Sequence, residues 1–577
     1  MYTNMKNTNA LINQLKELLI NKGNPKILTD CTGSKEYESK RLVFNRKFEF
    51  RPSVIIFVEN TKQVSEIVKF ANAHPTEIIL RLRSGGHDHE GECSGTNTIL
   101  IDFSKLSSIQ ILENEIYEPT QEIYKKLIVG PGARFINIKK ELDTQNIGIP
   151  HGTCETVAIA GFTMGGGWGP WTRLHGMACE SLIGATIVLG DGTIEKLSYL
   201  DGPKSKKGKL LWALRGGGGM SYGVVTELVF KTFKLPEVSF SFTIKFNQSY
   251  TIKIGDKEIT MKPIKIQAIK VLELWEKAIN PSTLSGLIGT NLKIETAHLN
   301  NYEQPDSNAY LKCQMNGYYG GSEIELKKFI KKTLGEDVLE GLIFKHDRVI
   351  GTDNSSRNYS NTYNWHFESW DRTISNKTND KTYIINLDQD GPAPHKITSR
   401  MAIGNTTMNY GWDNTSRVAL IKSLQSSKIP DCSDASLAHG VHTYITLGAI
   451  SGKYYNNYEQ ERDAIGSSFP YKNRPFTIQY QAWWDQFLDR DDNTCLTDEQ
   501  QSKEMIQNRR FVNRAEDWME DSRDYKIPHT GGAFISFKDA SIPTSTYFST
   551  SYEELMNIKL KYSNDPNFLL RTRKTIL

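Results

Sequence analysis

The sequence predicts an α+β fold with at least two domains. A chain of 577 residues exceeds the usual size of a single domain and can bury several cores. Over about residues 40–235, short apolar runs alternate with segments of helical spacing, and runs of glycine interrupt them. From residue 236 the glycine runs stop and aromatic residues become more frequent, which indicates a second domain of different construction.

The composition argues against several classes of partner. The 70 basic and 66 acidic residues leave a net charge of +4, without the basic block or stripe that accompanies nucleic-acid binding. No stretch approaches the ~18 consecutive apolar residues of a transmembrane helix. The N-terminus lacks the apolar centre and cleavage site of a signal peptide. We therefore expect a cytoplasmic protein without a nucleic-acid or membrane partner.

The seven cysteines are scattered along the chain and form no CxxC pair. Their spacing predicts neither a zinc ribbon nor a dense disulfide framework, so no metal site is expected. Nothing in the spacing shows whether any of them pair, and the sequence carries no sign of the oligomeric state.

Hydrophobic periodicity places the elements of the first region in order. An amphipathic N-terminal helix is predicted within residues 1–25, with Leu11, Leu15, Leu18 and Leu19 on one face. Strands are predicted at residues 53–58, 77–82, 99–101, 127–129, 185–189 and 222 to about 231. Further helices are predicted at Val64 to Ala71, ended by Pro75, and at Phe135 to Leu142. Asp191-Gly192 predicts a hairpin turn.

Three glycine-rich loops follow these elements. The first is Arg83-Ser84-Gly85-Gly86-His87-Asp88-His89-Glu90-Gly91, at the end of a predicted strand. The second is His151-Gly152-Thr153-Cys154-Glu155-Thr156-Val157, followed by Gly161 and by Gly165-Gly166-Gly167-Trp168-Gly169. The third runs from Arg215 through Gly216-Gly217-Gly218-Gly219 to Gly223. Glycines expose backbone N–H groups and allow close approach to a ligand such as a pyrophosphate.

Two familiar nucleotide signatures are missing from these loops. The glycine runs lack the strand, helix and distant acidic residue of a dinucleotide-binding fingerprint, and no GxxxxGK[ST] phosphate loop occurs. A nicotinamide-dependent dehydrogenase therefore has little support.

The loops that carry His87 and Cys154, together with the Arg215 loop, resemble those of the berberine bridge enzyme-like FAD-linked oxidases. The resemblance implies a PCMH-type FAD-binding domain of the vanillyl-alcohol-oxidase-like superfamily, joined to a substrate domain with an antiparallel sheet. It is strong over about 50–235, moderate over about 465–575 and weak between. The implied domains are an N-terminal helical extension (1–39), the FAD-binding domain (40–235), the substrate-binding domain (236–500) and a C-terminal segment that returns to the FAD-binding domain (501–577).

The resemblance also implies how FAD is held. In many members of the family a His and a Cys at the positions of His87 and Cys154 both bond covalently to the flavin ring. Taken singly, such a His is more often a surface residue, and such a Cys is more often a small buried hydrophobe. Further FAD-binding residues implied by the resemblance are Arg83, Ser84, Gly85, Gly86, Asp88, Gly91, Ser94, Gly132, Gly152, Thr153, Gly161, Gly165, Gly166, Gly167, Gly169, Gly223, Val224, Val225, Tyr547 and Ser551.

The C-terminal segment departs from the family at two places. The family usually has Asn at position 551, and Ser551 with Glu554 instead fits a capping box. The usual base is a tyrosine in a Y-x-N-Y-x-D strand, whereas the matching stretch here begins with Phe534 and has Phe537 at the second tyrosine position. Proton removal therefore needs another group, unless the substrate needs no base.

Several residues are candidates for the remaining roles. Residues 476–484 alternate as a half-buried strand, and Gln479 on its polar face is a pocket candidate, although an exposed strand glutamine is the alternative. In the family the residue at position 157 controls the approach of oxygen, and valine there accompanies oxidase behaviour. The candidate bases are His442, which we favour, and Tyr444, Lys396 and Tyr222.

Together these features suggest an oxidase that moves a hydride from an alcohol, hemiacetal or amine carbon to FAD and makes hydrogen peroxide from oxygen. Its setting is expected to be secondary or sugar metabolism, with a small-molecule substrate. Two alternatives stay open. One is oxidative C–C or C–N ring closure, and the other is a flavoprotein that has lost its activity and acts as a binding protein. The sequence does not identify the substrate.

Overall fold

The computed structural model describes residues 2–30, 34–254, 257–280, 286–349, 371–376, 381–386, 394–404, 412–429, 441–484, 512–523 and 527–576. The strands are β1 (Lys26–Thr29), β2 (Val54–Phe57), β3 (Leu80–Arg83), β4 (Ile99–Asp102), β5 (Ile109–Tyr117), β6 (Glu122–Val129), β7 (Ile147–Gly148), β8 (Leu182–Val188), β9 (Ile194–Ser198), β10 (Val224–Lys231), β11 (Phe233–Lys234), β12 (Val238–Phe246), β13 (Tyr250–Ile254), β14 (Lys257–Met261), β15 (Leu287–Glu295), β16 (Ala297–His298), β17 (Cys313–Gly320), β18 (Leu342–Val349), β19 (Asp371–Asn376), β20 (Lys381–Asn386), β21 (His395–Met401), β22 (Gln425–Ser426), β23 (His442–Ala449) and β24 (Phe476–Trp483).

The helices are α1 (Tyr2–Ile20), α2 (Lys35–Arg41), α3 (Thr61–Ala73), α4 (Phe135–Asp143), α5 (Ile159–Met164), α6 (Thr172–His175), α7 (Lys206–Leu214), α8 (Ala268–Ile279), α9 (Glu323–Thr333), α10 (Glu336–Leu339), α11 (Asn414–Ser423), α12 (Lys453–Asn456), α13 (Tyr458–Glu461), α14 (512–523), α15 (Thr544–Phe548) and α16 (Tyr552–Tyr562). No helix in this described part of the chain is long and apolar enough to cross a membrane.

The first sheet has the strand order β1-β2-β4-β3, in which β2, β4 and β3 are parallel and β1 is antiparallel. Helices α1 and α3 cover it, since both contribute apolar side chains to its core. The predicted N-terminal helix is confirmed: Leu15 and Leu19 are buried, and Leu11 and Leu18 pack partly buried at the edge of the same core.

The second sheet is antiparallel, with the order β5-β6-β10-β8-β9. The C-terminal helix α16 packs into its core through Leu555 and Ile558. Strand β5 was not predicted, because most of its residues are exposed or half-buried and its sequence therefore forms no apolar run. The hairpin between β8 and β9 was predicted at the right place.

The third sheet joins seven of the described strands in the antiparallel order β18-β12-β17-β15-β23-β24-β21. Helices α8, α9 and α11 pack against it in one apolar core. Strand β24 lies between two neighbours, and all eight of its residues are buried. The prediction of a half-buried strand there was wrong, because helices cover one face and the polar face lines an internal cavity.

Two local predictions near the C-terminus were also wrong. Ser551 makes no capping hydrogen bond at the start of α16, because its backbone is already helical, and Glu554 pairs with Lys209 instead. Residues Ile535–Phe537 form a turn of 3-10 helix and not a strand. The rings of Phe534 and Phe537 turn towards the same cavity that β24 lines.

Candidate active site

A cavity of about 370 Å³ lies between the glycine loops of the first two sheets and the polar face of the third. Side chains from β21, β23 and β24 meet His87 and Cys154 in its wall. Residues separated by hundreds of positions thus share one internal space of the size typical of ligand pockets.

His87 and Cys154 converge on a single hydroxyl group. The Nε2 atom of His87 lies 3.0 Å from Oγ1 of Thr156, and the Sγ atom of Cys154 lies 3.7 Å from the same oxygen. The ring of Phe44 stacks on the imidazole with centroids 4.0 Å apart. Burial lowers the pKa of His87 to about 3, with smaller contributions from His89 and Arg134, so the imidazole is neutral at physiological pH.

The glycines leave room for a large planar group beside this pair. A Cβ atom added at Gly161 would meet nothing within 4 Å, and one added at Gly219 would meet only the end of Met164. Gly85, in contrast, is packed against the backbone of Ala158, where a Cβ would come within 2.7 Å of a nitrogen. The first loop is therefore pinned to the second, while the open glycine faces form a cradle that fits the FAD implied by the sequence.

An ion cluster of half-buried Lys538 and Asp88 with buried Glu92 stands at one end of the cavity. The Nζ atom of Lys538 lies 2.6 Å from Oδ2 of Asp88 and 2.8 Å from Oε2 of Glu92. Burial alone would lower the pKa of Lys538, but the two carboxylates outweigh it and raise that pKa. Burial likewise acts to raise the pKa of Asp88, and Lys538 more than reverses this. Lys538 and Asp88 are therefore both charged.

Two histidines form a pair next to this cluster. The Nδ1 atom of His89 lies 2.8 Å from the Nε2 atom of His395, which is 1% exposed and stacks on Trp483. The side-chain amide of Asn45 donates hydrogen bonds to the carbonyls of both His89 and His395. Burial lowers the pKa of His89 to about 4, while Asp88 opposes and Lys538 assists this shift.

The wall formed by the third sheet carries amides and aromatic rings. The Oε1 atom of Gln481 accepts hydrogen bonds from Tyr444 Oη at 2.9 Å and from Trp483 Nε1 at 3.0 Å. Its Nε2 atom lies 3.4 Å from Oε1 of Gln479. This network fixes Gln479 and Trp483 at the cavity wall, which Phe534, Phe537 and Trp168 complete.

Most of the predicted site residues reach this cavity. The residues that line it are Ser84, Gly85, Gly86, His87, Asp88, Gly152, Thr153, Cys154, Val157, Gly161, Gly165, Gly223, Val225 and Gln479. Gln479 is 4% exposed, so the alternative of an exposed strand glutamine was wrong.

The other predicted site residues lie outside the cavity wall. Those that do not line the cavity in the described part of the chain are Arg83, Gly91, Ser94, Gly132, Gly166, Gly167, Gly169, Val224, Tyr547, Ser551 and His442. Arg83, for example, pairs with Asp102 at 2.6 Å and donates to the carbonyl of Lys40. Tyr547 binds the backbone of Asp539.

None of the candidate bases from the sequence lines the cavity. His442 lies 3.7 Å from Glu295, across Trp483 from His395. Lys396 points to the opposite face of β21 and pairs with Glu520 at 3.0 Å. Tyr222 is fully buried, and its hydroxyl group has no hydrogen-bond partner in the described structure. Tyr444 reaches the cavity only through its hydrogen bond to Gln481.

The residues that sequence reasoning missed are Thr156, His89, His395, Lys538 and Trp483. The signal for His89 was present, because it stands two positions after His87 in the same loop. His395 precedes the candidate Lys396, and neighbouring strand residues face opposite ways, so the choice depended on a strand phase that the sequence does not reveal. The described residues hold no group of three or more His, Cys, Asp or Glu side chains placed to bind a metal ion.

Comparison with known proteins identifies an FAD-binding domain in this chain. Residues 52–198 match the family described as FAD binding domain. A chitooligosaccharide oxidase of Gibberella zeae is 30% identical over 225 residues, which cover 38% of this chain and 42% of that protein. The chain spans about half the length of the curated relatives that it matches first.

Solved structures share the whole fold. A glucooligosaccharide oxidase from Acremonium strictum that carries a 6-S-cysteinyl, 8α-N1-histidyl FAD superposes with a TM-score of 0.63 at 17% identity, over 97% of this chain and 98% of that one. BBE-like 1 of Physcomitrella patens superposes with a TM-score of 0.62 at 19% identity, over 98% and 99% of the two chains. The predicted resemblance is confirmed for the FAD-binding domain and for the two-domain oxidase fold.

Proposed function

We propose that this chain, which has an FAD-binding domain and the fold of the FAD-linked oxidases, is an oxidase whose flavin is bonded to both His87 and Cys154. The observation that carries the proposal is the convergence of these two side chains on Thr156 inside one cavity. Cys154 stands two residues from Thr156, whereas His87 comes from a loop 69 residues earlier, so Thr156 brings the two loops together at this point.

The protonation state of His87 suits bond formation to a flavin. Only an unprotonated ring nitrogen has a lone pair for a new bond, and burial keeps His87 neutral. Because Nε2 lies beside Thr156, the nitrogen left for the flavin is Nδ1. Stacking on Phe44 fixes the ring plane, so attachment requires little further ordering of the side chain.

The chemistry that bound FAD would supply is acceptance of a hydride from the substrate carbon and transfer of two electrons to oxygen, which gives hydrogen peroxide. The protein supplies the remaining parts. The amides of Gln479 and Gln481 offer donors and acceptors to a polar substrate, while Trp168, Phe534 and Phe537 exclude water from it. Sugars, alcohols and amines fit a wall of this mixed character.

Acid precipitation tests the attachment. The native protein should stay yellow after precipitation in acid, because covalent flavin cannot leave with the supernatant. His87→Ala and Cys154→Ala should each keep one bond and stay yellow, whereas the double variant should release its flavin. Cys313→Ala, at a cysteine buried in the third-sheet core, is the matched control and should behave as the native protein does. Flavin released from the native protein would refute the attachment.

A panel of glucose, cellobiose, chitobiose, benzyl alcohol and benzylamine tests the activity. Each compound is mixed with the protein in air, and peroxide and product are measured. Peroxide with a carbonyl or imine product supports the oxidase, and a cyclised product of a bifunctional substrate would indicate ring closure instead. A protein that binds panel compounds but never reduces its flavin would match the second alternative, a binding protein.

A further inference from the structure

The site lacks the proton acceptor that is usual in the family, and the pair formed by His89 and His395 lies beside the missing group. An alcohol or amine that loses a hydride must also lose a proton, and both tyrosines of the family's stretch are phenylalanines here, Phe534 and Phe537. The ring of Phe537 lies 5.7 Å from the ring of His89, so the imidazole stands beside the position where the phenol is missing.

The position of His89 relative to the flavin follows from its place in the loop. Two residues span at most about 7 Å, so His89 lies next to the linkage site at His87. His89 lines the cavity, and its Nδ1 atom is held by His395. The nitrogen that a bound substrate meets is therefore Nε2.

We propose that His89 is the proton acceptor of the reaction and that His395 is the residue that positions it. In this arrangement Nδ1–H of His89 donates to Nε2 of His395, and the lone pair of His89 Nε2 faces the substrate. The proposal rests on the oxidase function argued above. The resemblance to the family gives neither of these two histidines a role.

The step balances as follows for an alcohol. The O–H bond breaks, and its proton goes to Nε2 of His89. The C–H bond also breaks, and its hydrogen leaves as a hydride, with both electrons of the bond, to FAD, which is the oxidant. The alcohol becomes a carbonyl compound. The His89 imidazolium then donates a stronger, charge-assisted hydrogen bond to Nε2 of His395, which stabilises the proton on the pair.

The groups around His89 determine the pH range in which it can accept a proton. Asp88 favours the protonated ring, whereas burial and Lys538 disfavour it, and the nearby His87 is neutral. His395 contacts it directly. With a pKa of about 4, His89 is unprotonated and able to accept a proton at neutral pH, and it loses this ability as the pH falls through about 4.

Nitrogen NMR of the holoprotein with 15N-labelled histidine tests the tautomer without any substrate. The His89 signal is assigned as the one that disappears from the spectrum of His89→Gln. In the native protein at pH 7 this signal should show a protonated Nδ1 and an unprotonated Nε2. The ring should gain a second proton only near pH 4. In His395→Leu, which removes the acceptor, Nδ1 should lose its proton to Nε2. A His89 ring that carries its proton on Nε2 in the native protein at pH 7 would overturn the proposal.

Stopped-flow reduction of the flavin without oxygen tests the role, with the panel compound that reduces the native protein fastest. The native rate should be constant above about pH 5 and should fall below it. His89→Gln should slow reduction by about 10²–10⁴-fold and abolish the acid limb. His395→Leu should slow it less and move the limb. His442→Gln, on the other side of Trp483, is the control and should change neither.

The two proposals fail in different ways. If His89→Gln keeps acid-stable flavin, an unchanged melting temperature and the native rate, the proton acceptor is not His89 although the oxidase stands. If no panel compound reduces the flavin, the proposed activity fails, and the NMR result still decides whether His395 holds His89 in the required tautomer.

Discussion

The ion pair between Arg215 and Asp463 should be the strongest single link between the third glycine loop and the segment that follows β23. Arg215 ends α7, and its guanidinium holds both oxygens of Asp463 at 2.9 and 2.8 Å. Both side chains are nearly inaccessible, with 2% and 4% exposure. The carbonyl of Arg215 also accepts the N–H groups of Ser468 and Phe469.

Asp463→Asn removes the negative charge with little change of shape. The remaining amide oxygen can still accept from the N–H groups of Ile465 and Gly466, which Asp463 Oδ1 holds at 3.0 and 2.9 Å. The guanidinium of Arg215, however, stays buried with only carbonyl partners. Leaving one charge of a buried pair without its partner costs about 3–5 kcal/mol. In a cooperative unit of about 150–250 residues this corresponds to a fall in Tm of roughly 6–20 °C.

Calorimetry of the native and variant proteins measures the effect. The control is Glu336→Gln, which breaks the exposed pair with Lys331, whose two side chains are 70% and 56% exposed. Pairs of this kind contribute about 1 kcal/mol or less, so the control should melt within roughly 4 °C of the native protein. The double variant Arg215→Met with Asp463→Asn should recover part of the loss, because no unpaired charge remains in it.

The pH dependence gives an independent check. Burial acts to raise the pKa of Asp463, and Arg215 outweighs it, so the folded-state pKa is below the ordinary value. The stabilisation is therefore present above the unfolded pKa of about 3.9 and is lost as the pH falls through the folded-state pKa. An Asp463→Asn variant with the native Tm at pH 7, or a double variant with a lower Tm than Asp463→Asn, would refute the reasoning.

Three further outcomes are expected. Thr156→Val should slow covalent attachment at both His87 and Cys154, and Thr156→Ser should restore it; normal acid-stable flavin in the valine variant would contradict a positioning role for the hydroxyl group. Val157→Ile should slow reoxidation of the reduced protein in air, because Val157 lines the cavity and one added methyl group narrows the path of oxygen to the flavin. Equal reoxidation rates in the two proteins would show that Val157 serves only in packing. Phe537→Tyr should lower the free energy of unfolding by about 1–3 kcal/mol if the added hydroxyl group finds no partner, and an unchanged urea midpoint would indicate that it has found one.

The sequence predicted the first region well because its signals are local. Apolar runs placed β2, β4, β8 and β10, and the glycine loops between such runs carried the resemblance that identified His87 and Cys154. These elements are short and consecutive, so hydrophobic periodicity and turn chemistry determine them without knowledge of distant contacts.

The far wall of the cavity was harder to predict because it depends on strand register. His442 and Thr446 share one face of β23, but four residues correspond to about 13 Å, so only Thr446 reaches the cavity. On β21 the phase of the strand brings His395 inward and sends Lys396 outward. Neither register nor phase is visible in a single sequence with mixed polarity, which is why the sequence favoured His442, a residue that does not line the cavity.

The wall of the cavity spans almost the whole chain, since Phe44 and Thr572 both contribute to it. Thr572 donates a hydrogen bond to Glu92 at 2.9 Å, and the backbone of Ile576 donates to Ser221 at 3.1 Å. During synthesis the N-terminal sheets leave the ribosome early, but the enclosure cannot close until these late residues emerge and dock. Covalent capture of the flavin, if it needs the closed cavity, must follow the synthesis of these residues, and acid-stable colour then marks chains in which they have docked.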